Sequence, residues 1–181
     1  MPSRTVKHCR ECGAIAEYRV PDDGDTRVRA ICPACGTIHY VNPLLVVGTV
    51  PWLDGQVLLC KRAIEPRLGK WTLPAGFMEM DETMVQGAAR ETAEESGAEV
   101  EMGALFSTMS IPRVGQVHVF YLARLLHDRF NPGAESQEVR LFTESDLPWS
   151  ELAFATVRET LRRYFDDRRR GVFGVHDVDI V

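Results

Sequence analysis

The chain has 181 residues, of which 45% are hydrophobic and 26% are charged, as in a globular protein with one ordinary domain or one domain and a small addition. Acidic residues outnumber basic residues by 26 to 21, and the net charge of −5 disfavours nucleic acid as the main partner, because that binding depends on neutralising phosphates. Apolar runs such as Leu44–Val47 are far shorter than the roughly 18 residues of a membrane-spanning helix. Since residues 1–10 also lack the apolar core of a signal peptide, we expect a soluble, cytoplasmic protein without a membrane partner.

Four of the five cysteines form two C-x2-C pairs with nineteen residues between the pairs. This spacing is typical of a four-thiolate zinc site, and each pair is followed by a glycine, Gly13 or Gly36, that can form the tight turn such a site needs. Four thiolates leave no open coordination position for a substrate, so we expect a structural Zn²⁺. The predicted zinc ligands are Cys9, Cys12, Cys32 and Cys35.

Other interpretations of these cysteines are weaker. Independent thiols need no paired spacing, and a redox C-x-x-C motif needs a βαβ context, whereas Pro21–Asp25 predicts a turn between two short strands. His8 and His39 flank the pairs and could each replace a thiolate, although a bystander role is favoured. The fifth cysteine, Cys60, ends the apolar run 56–60 and is expected to be an ordinary buried thiol.

The composition becomes strongly apolar from Leu44, so we expect a second domain and place the two domains at 1–40 and 41–181. Two strands joined by a turn at Asp54-Gly55 should open the second domain, and residues 72–80 should form a loop or an irregular strand. The predicted strands are 44–53, 56–62, 100–109, 117–125 and 139–143.

Two helices are predicted in this second domain, at Thr83–Ser96 and Glu151–Arg170. Thr83 and Gln86 form a capping-box pattern, and Gly97 stands where a left-handed C-terminal cap belongs. The residues expected on the buried face of the first helix are Met84, Val85, Ala88, Ala89, Thr92 and Ala93. Those expected on the buried face of the second helix are Leu152, Val157, Leu161, Tyr164 and Phe165.

The first helix carries three glutamates, Glu91, Glu94 and Glu95, at the spacing i, i+3 and i+4. At about 100° per residue these carboxylates share one face and can converge on one ion. Like charges at this spacing cost stability, and neither Glu91 nor Glu95 has a basic residue four positions away that relieves the cost. A divalent cation would neutralise them, and carboxylate oxygens favour Mg²⁺ or Mn²⁺ over Zn²⁺. The alternative is a solvated acidic face, which Glu94 fits best because Arg90 lies four residues before it.

The loop Leu73–Gly76 leads toward the same helix and can bring backbone groups close to a metal ion and a phosphate, which favours the metal-binding interpretation. Together, Gly76, Glu82 and the run Arg90–Ala98 resemble the complete signature of the Nudix hydrolases. Thr92 is the one softer match, because the family usually has an aliphatic residue there. The resemblance implies an α/β fold of the Nudix type, a mixed β-sheet sandwiched between helices, preceded here by the small zinc ribbon.

The resemblance also implies roles for the residues of the signature. Arg90 would orient the acidic side chains, and Glu82 would be its ion-pair partner, so both would provide structural support. The implied ligands of a catalytic Mg²⁺ or Mn²⁺ are Glu91 and Glu95 as principal ligands, Glu94 as an additional one, and the carbonyl of Gly76.

A general base is expected from a loop after the signature, as in similar Nudix enzymes. Glu135 and Glu138 are the candidate catalytic residues, and Glu135 is favoured because it occupies the place of a metal-binding glutamate in the related NADH pyrophosphatases. Both could instead be surface acids.

Two residues are candidates for substrate binding. Arg113 could clamp a phosphate through its guanidinium group, and Phe77 could stack on a base, although a surface arginine and a core aromatic residue are the alternatives. Further stacking candidates, for which a core position is favoured, are Trp71, Phe120 and Tyr121.

A zinc ribbon ahead of the signature is similar to the NADH pyrophosphatases, but their SQPWPFPxS motif is absent here. The chain looks more like the ribbon-bearing ADP-ribose and FAD pyrophosphatases related to a plant chloroplast enzyme. The segments that carry this resemblance are residues 30–50, 111–116 and 132–142. This resemblance implies metal-dependent hydrolysis of ADP-ribose, FAD or a similar small dinucleotide to AMP and a second phosphate, by a homodimer. The alternatives are an NADH or RNA-cap pyrophosphatase, and a non-enzymatic zinc-ribbon module that binds RNA or protein.

Overall fold

The computed structural model describes residues 5–181, and the chain forms two compact units, one ending at Pro43 and one comprising residues 44–181. The division falls three residues after position 40, where the sequence places the end of the first domain. Within the described residues, no helix combines the length and the apolar character that crossing a membrane requires.

The first unit contains a three-stranded antiparallel sheet in the order β1-β2-β3. Its strands are β1 (Glu17–Arg19), β2 (Arg29–Ile31) and β3 (Ile38–His39). Gly13 and Gly36 have φ angles of 78° and 75°, which residues with a Cβ rarely adopt. The N–H of Gly13 donates to the carbonyl of Cys9 at 3.0 Å, and that of Gly36 donates to the carbonyl of Cys32 at 2.9 Å. Both cysteine pairs therefore lie in tight turns of the same kind, as the glycines predict.

The second unit is built on a mixed sheet in the order β10-β5-β4-β9-β8-β11, with β6 paired to β5 and β7 paired to β4. Strands β4 and β9 are parallel, as are β8 and β11, and the other pairs are antiparallel. The five predicted strands are confirmed to within three residues at each end, whereas β6, β7 and β11 are too short for a clear alternating pattern and were not predicted as regular strands. The strands are β4 (Leu44–Leu53), β5 (Gln56–Arg62), β6 (Trp71–Thr72), β7 (Ala75–Phe77), β8 (Val100–Ile111), β9 (Gln116–Leu125), β10 (Ser136–Phe142) and β11 (His176–Asp179).

Helix α1 (Met84–Ser96) begins and ends where the sequence predicts. The N–H of Gln86 donates to Thr83 Oγ1 at 3.2 Å, and the N–H of Thr83 donates to Gln86 Oε1 at 2.8 Å, so the capping box is complete. Gly97 has a φ of 61° and closes the C-terminus by donating to the carbonyl of Ala93.

Helix α2 (Ala155–Arg170) begins four residues later than predicted. Trp149–Glu151 forms a single 3-10 turn, and Leu152 then pairs with Trp71 of β6. The N–H of Ala153 donates to the carbonyl of Trp71 at 2.8 Å. A prediction from α2's apolar period could not include this extended segment, because its hydrogen-bond partner lies about eighty positions away in the chain.

The two helices cover opposite faces of the sheet, which confirms the predicted sandwich. Along β5, Val57 and Leu59 pack with residues of α2, while Leu58 and Cys60 face the α1 side. The buried residues of α2 in this core are Val157, Leu161, Tyr164 and Phe165. Cys60 is 1% exposed, so it is a buried thiol as predicted.

The buried face of α1 differs from the predicted one, because Met84, Val85 and Ala93 are exposed. A Cβ atom added to Gly87 would lie 2.9 Å from Val47 Cγ2, so the helix packs too closely on β4 for large side chains. Glu95 is consequently turned into the protein and not toward solvent. The residues of α1 that are buried are Gly87, Ala88, Thr92, Glu95 and Ser96.

Candidate active site

Glu95 is the most deeply buried of the three glutamates on α1, with 7% of its surface exposed. A backbone hydrogen bond with Ala75 favours its ionised form, but Oε2 has no hydrogen-bond partner within residues 5–181. Burial, and next the charge of Glu91, raise the pKa of Glu95 to about 8. A buried carboxylate oxygen without a donor is expensive for the fold, and a bound cation would satisfy it.

Glu91 lies against the backbone of β7. A Cβ atom added to Gly76 would come within 2.3 Å of all three carboxyl atoms of Glu91, so only glycine leaves room for this side chain. Burial raises the pKa of Glu91, and its hydrogen bond with Arg90 opposes that rise. Gly76 therefore forms a cradle for one of the predicted metal ligands.

Arg90 connects four carbonyl and carboxylate groups around this cradle. Its Nε and Nη2 donate to both oxygens of Glu82 at 3.0 and 2.8 Å, which lowers the pKa of Glu82 to about 2. Its Nη1 donates to Glu91 at 2.7 Å and to Glu94 at 3.0 Å, and Nη2 also donates to the carbonyl of Phe77 at 3.2 Å. The guanidinium group of Arg90 thus holds Glu91 and Glu94 in position, and Glu82 is its bidentate partner.

The loop before β10 brings a fourth carboxylate to this cluster. The N–H of Gly133 donates to the carbonyl of Glu95 at 3.0 Å, and the N–H of Asn131 donates to that of Ser96 at 2.8 Å, so the loop caps the end of α1. A Cβ atom added to Gly133 would lie 1.7 Å from the carbonyl oxygen of Glu94, which shows how closely the loop approaches. The charge of Glu135, two residues later, raises the pKa of both Glu91 and Glu95.

Glu138, the other loop candidate, lies in β10 opposite Lys61 of β5. Its Oε2 atom is 3.6 Å from Lys61 Nζ, which in turn lies 5.7 Å from the ring centroid of Trp71. Glu138 therefore forms an ion pair on the sheet. Of the two candidates, Glu135 is the one whose charge raises the pKa of Glu91 and Glu95.

The structure places the substrate-binding candidates at the surface. Arg113 is exposed in the turn between β8 and β9, and no ion pair holds it within the described part of the chain. Phe77 is 50% exposed and follows Gly76 directly. The core position favoured for the further stacking candidates is confirmed, because their rings fill the core on the two faces of the sheet. These buried residues are Trp71, Phe120 and Tyr121.

Sequence reasoning missed Arg62, the last residue of β5. Its charge lowers the pKa of Glu95, so Arg62 is, besides Arg90, a cation that opposes the repulsion within the carboxylate cluster. Its Nε donates to the carbonyl of Pro66 at 2.8 Å, and its guanidinium carbon lies 5.3 Å from the ring centroid of Phe154. The available signal was a basic pair, Lys61-Arg62, at the end of a strand whose centre is apolar.

The four predicted zinc ligands of the first unit form one cluster, with all four sulfur atoms within 4.8 Å of one another. The Sγ–Sγ distances are 3.6 Å for Cys9–Cys35 and 3.4 Å for Cys12–Cys32. Tetrahedral zinc with Zn–S bonds of about 2.3 Å needs sulfur atoms about 3.8 Å apart, so the donor set fits zinc. Hydrogen bonds with Thr37 lower the pKa of Cys35 to about 6, whereas, despite an opposing backbone hydrogen bond with Ala14, hydrogen bonds with the other cysteines raise the pKa of Cys12 to about 12. Among the residues described here, neither His8 nor His39 belongs to the cluster.

The family described as NUDIX domain matches residues 43–165, which is more than half of the chain. The chain belongs to the Nudix family. A second family, described as Nudix N-terminal, matches residues 7–41 and thus the zinc ribbon with its four cysteines.

Three proteins that are similar to this Nudix chain illustrate the activities named among its relatives. A NUDIX hydrolase of known crystal structure from Nitrosomonas europaea is 49% identical, with a TM-score of 0.91 and coverage of 97% of this chain and 100% of that one. An ADP-ribose pyrophosphatase from Methanocaldococcus jannaschii is 29% identical over 119 residues, which are 64% of this chain and 69% of that protein. The NAD-capped RNA hydrolase NudC of Vibrio cholerae is 33% identical over 173 residues, 92% of this chain but only 61% of its own length. This Nudix chain is therefore a pyrophosphohydrolase related to two kinds of enzyme.

Proposed function

We propose that this Nudix enzyme hydrolyses the pyrophosphate bond of a nucleoside diphosphate derivative such as ADP-ribose or FAD, giving AMP and a second phosphate. The observation that carries the proposal is the buried, unpartnered Oε2 of Glu95, held beside Glu91 and Glu135 over a glycine cradle. Such a site suits a divalent cation and the charged bridge between two phosphates. The ADP-ribose pyrophosphatase of M. jannaschii, which matches 64% of this chain, supports this substrate class.

The donors around Glu95 define the roles we propose. Mg²⁺ or Mn²⁺ would be held by carboxylates and the carbonyl of Gly76, and such an ion offsets the charge of the pyrophosphate and lowers the pKa of the attacking water. Glu135 accepts the proton of that water, since it reaches the cluster from a separate loop. Arg90 keeps Glu91 and Glu94 in place through the contacts at 2.7 and 3.0 Å. The proposed carboxylate ligands are Glu91, Glu94, Glu95 and Glu135.

Two surface residues complete this proposal. Phe77 stacks on the base of the substrate, because it is half exposed and adjacent to the cradle at Gly76. Arg113 contacts a phosphate through its exposed guanidinium group. The homodimer and the cytoplasmic location remain predictions, and sedimentation of the purified chain measures the first of them.

A second candidate function is hydrolysis of NAD-capped RNA. The observation that favours it is the match to the V. cholerae hydrolase, which extends over the ribbon as well as the Nudix domain and covers 92% of this chain. The absence of the SQPWPFPxS motif argues against it.

The test is AMP release by the purified full chain with Mg²⁺ or Mn²⁺, using ADP-ribose, FAD, NADH and NAD-capped RNA as substrates. We expect ADP-ribose or FAD to give the highest kcat/KM, and Glu95→Gln to lower it by at least a hundredfold, because the ion loses a charged donor. Glu99→Gln is the matched control, since Glu99 is exposed just beyond α1 and pairs with His127 at 3.5 Å.

Three outcomes count against the proposal. Equal rates for Glu95→Gln and Glu99→Gln would remove the carboxylate cluster from the reaction. A preference for capped RNA would establish the second candidate. Failure to hydrolyse any of the four substrates, together with tight binding of RNA or a protein, would show a binding module.

A further inference from the structure

A cavity of about 340 Å³ lies between the loop 63–70 and the start of α2. The loop is closed at its base, because the N–H of Arg62 donates to the carbonyl of Lys70 and the N–H of Gly69 donates to that of Arg62, both at 2.9 Å. On the other side, the hydrogen bond from Ala153 to Trp71 holds the chain against β6. Backbone hydrogen bonds thus hold both walls, and the cavity is part of the fold.

Three cationic side chains line this cavity, and no carboxylate does. They are Arg67, Lys70 and Arg158, and within residues 5–181 none of them forms an ion pair with an aspartate or glutamate. By contrast, Arg163 on the same helix α2 pairs with Glu159 at 2.9 Å. Arg158 Nη2 donates to the carbonyl of Trp149 at 3.1 Å, which leaves its charge without a carboxylate partner. In a chain with net charge −5, three cations without a carboxylate partner around one cavity indicate a site for an anion.

The backbone around these cations favours an anion as well. Helix α2 has no side-chain cap at Phe154 and no acidic residue in its first turn, so its positive end is not neutralised from within. Arg67 has a φ of 70°, a conformation that is unfavourable for a residue with a Cβ and that recurs at functional sites.

The cavity adjoins the carboxylate cluster through Arg62. The guanidinium carbon of Arg62 lies 5.3 Å from the ring centroid of Phe154, which lines the cavity. The N–H of Ala63, the first residue of the loop that forms one wall of the cavity, donates to the carbonyl of Glu135 at 2.8 Å, and Arg62 lies opposite Ser136 in the sheet. A substrate whose pyrophosphate lies at the cluster can therefore extend past Arg62 toward the cavity.

We propose that this cavity binds a phosphomonoester on a ribose of the substrate, so that the preferred substrates are nucleoside diphosphate derivatives with one additional ribose phosphate. The inference rests on the proposed function for the place of the pyrophosphate. A single cavity with three cations and a helix N-terminus matches one doubly charged phosphate. RNA would instead call for cations spread along a path, in a chain that is acidic overall.

The kinetic test compares substrate pairs that differ by one phosphomonoester: ADP-ribose with ADP-ribose 2′-phosphate, and dephospho-coenzyme A with coenzyme A. For the wild type, we expect a higher kcat/KM for the phosphorylated member of at least one pair. The double variant Arg67→Gln/Lys70→Gln should lower the ratio of the two values about tenfold, since charge-assisted hydrogen bonds to the phosphate are lost. Arg162→Gln is the control, because Arg162 is exposed on α2 and does not line the cavity.

Equilibrium binding provides a readout without turnover. Calorimetric titration should show tighter binding of adenosine 2′,5′-bisphosphate or adenosine 3′,5′-bisphosphate than of AMP, and the double variant should remove the difference. If no dinucleotide is hydrolysed but this difference is present and lost in the double variant, the proposed function fails and the cavity assignment stands.

The assignment is overturned if the wild type does not distinguish the members of either pair, or if the double variant affects both members equally. It is also overturned if the double variant impairs cleavage of NAD-capped RNA but not cleavage of the small substrates that carry a phosphomonoester. The cavity would then bind a phosphodiester.

Discussion

The two donor clusters of this protein are built in different ways. The sulfur cluster comes from two short turns, each closed by a hydrogen bond between residues four positions apart. The carboxylate cluster comes from α1, the glycine cradle of β7 and the loop before β10, which are distant in sequence. Within residues 5–181, the four cysteines are the only group of three or more histidine, cysteine or acidic residues whose ligand atoms all lie within 4.8 Å of one another. In the carboxylate cluster, Arg90 instead forms ion pairs with Glu91 and Glu94.

From this difference we expect the two proposed metals to play different roles. The ribbon has a sheet of three strands with two or three residues each, too small to bury a core of its own, so we expect zinc binding to supply much of its folding free energy. The carboxylates are instead placed by a large sheet covered by helices on both faces. Losing a cation there should remove activity and leave the fold intact.

The largest effect is expected from Cys32→Ser/Cys35→Ser, because apparent zinc-binding free energies of about 10–16 kcal/mol contribute directly to folding. We expect the zinc content to fall below about half an equivalent and the amides of residues 7–41 to lose protection from hydrogen exchange, while those of 44–181 keep it. Cys60→Ala is the control, because Cys60 lies outside the cluster. Zinc retained at one equivalent in the double variant would contradict the ribbon assignment.

Glu135→Gln sharpens the comparison at the carboxylate cluster, since this residue reaches the helix only through the tertiary fold. A general base contributes about 10²–10⁴-fold, so we expect kcat to fall by at least a hundredfold with little change in melting temperature. Glu138→Gln, which removes an ion pair with Lys61, should change kcat less than twofold. The reverse order of the two effects would identify Glu138 as the base.

Gly76→Ala tests the cradle. The new Cβ would come within 2.3 Å of the Glu91 carboxyl atoms and must displace them. We expect kcat/KM to fall about 10–100-fold because Glu91 is moved out of position, and the free energy of unfolding to fall by about 1–3 kcal/mol because of the overpacking. Gly174→Ala is the matched control, because its Cβ would meet no atom within 4 Å. Activity that is equal in the two variants would show that the position of Glu91 is unimportant.

The smallest effect concerns the buried hydroxyl pair beneath the acidic face of α1. Thr49 Oγ1 and Thr92 Oγ1 are 2.6 Å apart, and Thr92 also donates to the carbonyl of Ala88 at 2.7 Å. Thr92→Val leaves the Thr49 hydroxyl without this partner and should cost about 1–2 kcal/mol of unfolding free energy, whereas Thr49→Val/Thr92→Val should be nearly neutral. Additive losses in urea denaturation would show that the two hydroxyl groups act independently.

Features with a local cause were predicted well. The ends of α1 follow from Thr83, Gln86 and Gly97, and the turns of the ribbon follow from Gly13 and Gly36. The errors occurred where distant segments compete for the same residues. Leu152 belongs to an extended segment that pairs with β6 and is not part of α2. Met84 and Val85 are exposed, because the buried face of α1 carries small residues that permit close packing on β4.

The sequence by itself determined the four-thiolate spacing, the Nudix signature and the helix that presents three glutamates, because residues a few positions apart have geometry set by turns of fixed pitch. Only the tertiary structure decided that Glu95 is buried without a donor on Oε2, that Glu135 joins the cluster while Glu138 pairs with Lys61, and that Arg62 lies nearby. These facts depend on which strands pair and how closely α1 approaches the sheet. Such contacts are set by the packing of the whole domain, and no local pattern encodes them.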